Sequence, residues 1–168
     1  MPALLALASR HRLDAVPTGA MRSLRPSVVL GLLALDRATK LWAMRDLRAS
    51  GPIPVFPFFE LCYVENTGAA FSVGHGANGL FIVVSIVLIA ALVRLMRGWP
   101  KTDPWLQLGG TLVLSGALGN LYDRVAYRYV VDFLYIHHWP VFNVADSCIT
   151  VGACLLAWGL KDEKPAAA

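Results

Sequence analysis

The sequence predicts an all-α membrane protein: a four-transmembrane-helix bundle carrying a small extracytoplasmic β-rich segment. Three observations predict it. Of 168 residues 57% are apolar and only 15% charged, against about 25% charged in soluble domains. A soluble domain this small has too little interior for that load, and a mean hydropathy of +0.56 points the same way. The basic residues, finally, gather at the ends of apolar runs.

Crossing the hydrocarbon as a helix takes about 20 apolar residues. The first candidate runs from about Pro26 to Met44 and is interrupted by Asp36, Arg37 and Lys40. Next comes Ile53 to Val73, whose prolines, aromatics and β-branched residues suit short strands and turns at the membrane surface. The second span, about Gly79 to Met96, is the cleanest; the third, about Trp105 to Tyr122, is rich in Gly and Ser. The fourth, about Val141 to Leu160, carries Asn143 and Asp146 near its start. Trp42, Trp105, Trp139 and Trp158 fall near span ends, as interfacial anchors do.

Charge asymmetry orients the bundle. Arg10, Arg12, Arg22, Arg25, Arg94, Arg97, Lys101, Lys161 and Lys164 share one side; Arg45, Arg48, Arg124 and Arg128 share the other. Both termini are therefore expected in the cytoplasm, with 45–78 and 123–140 facing outward. The chain divides into a cytoplasmic extension 1–25, a membrane domain 26–160 and a cytoplasmic tail 161–168. Residues 1–20 make a poor secretory signal, because LLALA precedes the basic residues. They are expected to be a dispensable, disordered extension.

The pI near 9.2 does not point to nucleic acid, since no basic stripe with interleaved aromatics exists. Cys62, Cys148 and Cys154 are an odd, scattered set without a C-x-x-C, so neither disulfides nor a metal site is implied, and they read as filler. His137 and His138 lack a nearby third ligand and read as interfacial residues. No metal and no cofactor is expected.

Ionisable residues within membrane segments mark function by default. Asn120, Asp123 and Arg124 end the third span, Asp132 follows in VVDF, and Asn143 and Asp146 open the fourth in FNVADS. A hairpin between Asp132 and Asp146 can bring their carboxylates face to face. Two close carboxylates share a proton, so one activates a water while the other polarises a carbonyl. The bland alternatives are plain: an Asp near a helix start is commonly a cap, and Asp123 beside Arg124 a structural ion pair. Asp36 and Lys40 stand in the favourable order for an i,i+4 pair, which serves structure as readily as catalysis. Asn143, Ser147 and Thr150 form a polar stripe with Asp146, expected to face the bundle rather than lipid. Arg124 suits a carboxylate, a carbonyl or a lipid phosphate. Gly68 suits a tight turn, with small residues after it that let a substrate backbone approach.

Four motifs in register resemble the lipoprotein signal peptidases: DRATK from Asp36 to Lys40, ENTGAAF from Glu65 to Phe71, GALGNLYDR from Gly116 to Arg124 with VDF at 131–133, and FNVADS from Phe142 to Ser147. The match extends from the first span to the last. The resemblance implies that Asp132 and Asp146, not Asp123, are the catalytic pair. It places Asn66, Gly68, Asn120, Arg124, Asn143 and Ala145 in or around the active site, with Asp36 and Lys40 as a first-span pair. Arg37 stands where Gln is common in the family and Tyr122 where a smaller aliphatic is common. The implied activity is that of an aspartic endopeptidase of the bacterial inner membrane. It would remove signal peptides from diacylglyceryl-modified prolipoproteins, cutting before the lipidated cysteine, and globomycin-like inhibitors would bind at the pair. Expected partners are membrane lipids and these substrates, and the protein is expected to be monomeric. The rival is a small ion-coupled transporter using Asp36, Lys40, Asp132 and Asp146 as a relay, which predicts midplane charges and repeat symmetry. Neither feature is visible.

Overall fold

A computed structural model describes residues 18–68 and 77–161, with side chains from residue 26. Its backbone runs α1 (Thr18–Trp42), a π-helical turn (Ala43–Leu47), α2 (Arg48–Ser50), β1 (Ile53–Phe56), β2 (Phe59–Asn66), α3 (Asn78–Gly98), α4 (Pro104–Tyr127), β3 (Val130–Ile136) and α5 (Val144–Lys161). The protein is mostly helical with one small antiparallel sheet, ordered β1-β2-β3.

Helix α1 starts eight residues before the expected Pro26. Met21, Arg22, Leu24 and Arg25 are good helix formers, and Pro26 costs the helix one backbone hydrogen bond without ending it. The expected extension 1–25 is thus helical from Thr18; residues 1–17, most of the tail, and the small residues after Gly68 lie outside the described residues. Helix α4 outruns its expected end by five residues and stops at Arg128, which takes the left-handed conformation (φ 69°) and donates its N–H to the Arg124 carbonyl.

Helices α3 and α5 are long and apolar enough to cross a membrane. Helix α3 buries no residue, and Leu80, Val87, Leu88 and Leu95 all stand more than half exposed. Helices α1 and α4 carry their polar residues inward: Asp36, Lys40, Gln107, Thr111, Ser115, Asn120 and Asp123 are buried.

Small residues set the α4–α5 contact. A Cβ on Gly109 would lie 2.8 Å from the Gly152 carbonyl oxygen, one on Gly152 2.7 Å from that of Gly109, and one on Gly116 would strike the Ala145 carbonyl. Ala145, Cys148, Gly152 and Gly159 form the buried face of α5. The polar stripe on α5 is displaced from that face: Ser147 is half-buried, Thr150 is exposed, and both line a groove. The expectation that the stripe packs into the bundle holds for Asn143, which is fully buried, and is corrected for Thr150, because glycines and alanines permit the closer helix contact and take that side. Cys154 is likewise exposed rather than packed as filler.

The sheet sits over the end of α1. Ala43 and Leu47 of the π turn pack against Val131 and Phe133 of β3, flanked by Leu61, Tyr63 and Val144. Asp132 lies inside the strand VVDFLYI.

Candidate active site

A bulge and a return loop assemble the site. Leu61 pairs with Leu134 but Val64 with Asp132, so β2 carries one extra residue between these pairs. Without it, Asn66 would point to the opposite face from Asp132. With it, Asn66 shares that face, and its Nδ2 donates to Asp132 Oδ2 at 2.9 Å. Asn66 Oδ1 in turn accepts the Gly68 N–H at 3.0 Å, closing an Asx turn. After β3 the chain reverses through His138, whose φ is 68°. It is then pinned where Leu134 N–H donates to the Phe142 carbonyl at 2.8 Å and Phe142 N–H to that of Leu134 at 2.9 Å. The reversal delivers Asn143 and Asp146 beside Asp132.

Asn143 caps α5. Its Oδ1 accepts the Asp146 N–H at 2.8 Å, while Asp146 Oδ2 accepts the Asn143 N–H at 3.2 Å, a reciprocal capping box. The Asn143 amide nitrogen donates to Asp132 Oδ1 at 2.7 Å. One asparagine therefore ties the two acids together. The cap reading of Asp146 is met, yet only one of its oxygens is used that way: Oδ1 accepts from Asn120 Nδ2 at 2.7 Å. Asp132 is buried, and burial first and the Asp146 charge second push its carboxyl up to about 7, against donors from Asn66 and Asn143 and the charge of Lys40.

Asp36, Lys40 and Asp123 form a second cluster beneath this pair. The fully buried Lys40 ammonium lies 2.9 Å from Asp36 Oδ2, 2.9 Å from Asp123 Oδ2 and 3.0 Å from Asn120 Oδ1. Asp123 pairs with Arg37 at 2.6 Å, not with the adjacent Arg124, and accepts the Val131 N–H at 3.1 Å. The adjacent pairing fails because consecutive helical residues point about 100° apart. Asp36 Oδ1 accepts the Ala145 N–H at 3.0 Å, satisfying an orphan donor in the first turn of α5. Gly119 makes room for this, as a Cβ there would meet Asp36 Oδ2 at 2.7 Å. The Arg124 guanidinium lies over the Phe81 ring and 3.5 Å from the Asn120 carbonyl.

Arg37 was expected only as a departure from a motif. Its guanidinium sits over both the Tyr122 and Tyr127 rings, each at 5.2 Å, so the two unusual residues, Arg37 and Tyr122, are in contact. Their spacing in sequence gives no signal of this.

A groove of about 630 Å³ opens beside Asp146, lined by the loop residues His137 to Trp139, by Phe142, and by Ser147 and Thr150 of α5. Both histidines are exposed, and His137 lies 3.2 Å from Glu60. Among the described residues no three His, Cys, Asp or Glu side chains are placed to hold a metal.

The fold is shared with solved bacterial membrane enzymes determined by the in meso method. One, at 2.3 Å resolution, aligns over 86% of this chain and 95% of its own with TM-score 0.78 and 28% identity. A second, at 1.9 Å, aligns over 84% and 95% with TM-score 0.76 and 27% identity. What these chains share is a mostly helical fold with one small antiparallel sheet. The sequence profile of signal peptidase (SPase) II matches residues 28–161. The lipoprotein signal peptidase of Clostridium acetobutylicum is 41% identical over 145 residues, covering 82% of this chain and 94% of that protein. That of Pseudomonas putida is 43% identical over 136 residues, covering 75% and 80%. The chain belongs to the signal peptidase II family.

Proposed function

We propose that the protein is an aspartic endopeptidase that removes signal peptides from diacylglyceryl-modified prolipoproteins, cutting just before the lipidated cysteine. Asp132 and Asp146 are its catalytic pair. The observation that carries this reading is the Asn143 bridge, which holds two carboxylates from different elements in one hydrogen-bonded unit. One carboxylate takes a proton from water as the water oxygen bonds to the scissile carbonyl carbon. Its protonated partner gives a proton to the carbonyl oxygen. Collapse of the diol then breaks the C–N bond: the proton taken from water passes to the departing cysteine nitrogen, and one diol hydroxyl returns its proton to the carboxylate that had protonated the carbonyl, restoring the pair. Asn66 and Asn143 supply donors to the two Asp132 oxygens, and Asn120 to one oxygen of Asp146. Gly68 and Ala145 keep the neighbouring backbone close.

The membrane placement belongs to the same reading. Four helices span the cytoplasmic membrane of a bacterium, both termini face the cytoplasm, and the pair lies near the outer face, with 26–160 as the working domain. The bare apolar surface of α3 supports immersion in lipid. Asp132 lies in β3, just beyond the C-terminal end of α4, and Asp146 in the first turn of α5, a shallow position that suits a signal-helix end. Membrane lipids surround a monomer, and the groove beside Asp146 receives substrate. The chemistry uses no cofactor.

Purified protein and a lipidated precursor peptide test the assignment. Asp132→Asn and Asp146→Asn each abolish cleavage while leaving the protein folded, and a chelator leaves the wild-type rate unchanged. Wild-type cleavage by either variant ends the proposal.

A further inference from the structure

Resting on the dyad reading above, we propose that Lys40 is a positioning residue that sets the amide orientation of Asn120 and thereby keeps a donor aimed at Asp146. The argument is one of donor and acceptor counting. An ammonium has three donors and no acceptor. All three are used here, on Asp36 Oδ2, Asp123 Oδ2 and Asn120 Oδ1. An asparagine amide, by contrast, offers one accepting and one donating end of nearly equal shape, and its network decides which way it points. Facing a group that only donates, Asn120 must turn its oxygen toward Lys40. Its nitrogen then faces Asp146 Oδ1 at 2.7 Å.

The alternative orientation fails at both ends. The amide nitrogen would meet the ammonium, donor against donor, and the amide oxygen would meet a carboxylate. Asn143 reinforces the choice, since its Nδ2 also donates to Asn120 Oδ1 at 3.2 Å. Asn143 itself is oriented by the Asp146 N–H, which occupies its oxygen. Polarity therefore propagates from a buried cation on α1, through α4, to the carboxylate on α5. Asp36 and Asp123 hold Lys40 in place; Asn120 passes the orientation on.

The test separates positioning from structural support. Lys40→Gln replaces a pure donor with a group that accepts as readily as it donates. In the wild-type background it lowers kcat about tenfold or more with little change in KM. In the Asn120→Ala background the same substitution costs less than about twofold, because its effect has no route to Asp146. Equal losses in both backgrounds, or a lowered unfolding temperature with unchanged kcat per folded molecule, overturn the proposal. If Lys40→Gln does not fold, the charge-balanced pair Asp36→Asn/Lys40→Gln is compared in the same two backgrounds under the same criteria. Asp146→Asn is run alongside: full activity there defeats the dyad reading, whereas inactivity with equal Lys40 losses defeats only the role of Lys40.

Discussion

Asp123→Asn and Asp132→Asn should fail in opposite ways. Asp123 is fully buried and gives its oxygens to Arg37 at 2.6 Å, Lys40 at 2.9 Å and the Val131 N–H at 3.1 Å. Stripping one partner from a buried ion pair costs about 3–5 kcal/mol, mostly for the charge left behind. Here both cations keep other partners: Arg37 is 22% exposed and lies over two tyrosine rings, and Lys40 retains Asp36 and Asn120. An asparagine oxygen also remains for one of the three donors, so the low end applies, about 3 kcal/mol. At about 2–4 °C per kcal/mol for a chain of this length, the unfolding temperature falls by roughly 6–12 °C. Lys40 still holds Asn120, so kcat per folded molecule stays within about tenfold of wild type. On the proposed pairing, Asp132→Asn removes a proton-transfer group and costs about 10²–10⁴-fold in kcat without that thermal loss. Tryptophan fluorescence during heating in detergent, with cleavage normalised to the folded fraction, reads both quantities. An Asp123→Asn protein with an unchanged unfolding temperature and more than about a hundredfold loss of kcat would refute the assignment of the two acids.

Three further outcomes follow from the same geometry. The folded protein holds a proton on Asp132 up to about pH 7, whereas an unfolded aspartate releases it near 4. The contribution of this group to stability is therefore fully present below about pH 4 and is lost as pH rises through 7, an amount on the order of 4 kcal/mol. Melting curves at successive pH values should show that decline in wild type and a flatter profile in Asp132→Asn; identical slopes would count against it. Gly116→Ala places a methyl against the Ala145 carbonyl, while at Gly31 nothing lies within 4 Å. The first change should destabilise by about 1–3 kcal/mol and the second stabilise by up to about 1 kcal/mol, a difference of sign that melting temperatures resolve. Arg37→Gln and Tyr122→Leu should be coupled in a double-mutant cycle by about 0.5–1 kcal/mol through the cation–π contact, and strict additivity would remove that contact as the reason for both departures.

What the sequence made legible follows from how local each signal is. The α3 run is apolar on every side, so its helix needed no tertiary information. The polar groups on α1, α4 and α5 were visible as costly residues in apolar stretches. Strand β3 was less visible, since VVDFLYI reads as an apolar segment whose partner strand is some 70 residues away, and the bulge that turns Asn66 toward Asp132 shows only in the pairing register. The Arg37–Asp123 pair, 86 residues apart, leaves no local mark at all. The role of Gly109, Gly116, Gly119 and Gly152 is equally non-local, since it lies in the facing carbonyl or Asp36 that an added Cβ would strike.

The hardest distinction was between Asp123 and Asp132, two acids nine positions apart, and the resemblance alone had separated them. The structure supplies a physical basis for the same separation. Asp123 is met by two cations and a backbone N–H, which use its oxygens as fixed anchors for α1 and β3. Asp132 is met by two neutral amides, from Asn66 and Asn143. A neutral donor orients a carboxylate without supplying a compensating charge, so burial and the neighbouring Asp146 govern its proton. Cations make an acid a structural joint; neutral amides orient a buried acid without compensating its charge. By that criterion Asp36, held by Lys40 and the Ala145 N–H, falls with Asp123. Asp146, held by the Asn120 amide and a backbone N–H, falls with Asp132. The four acids thus sort into two pairs by the charge of their donors, a sorting that neither spacing nor hydropathy could have made.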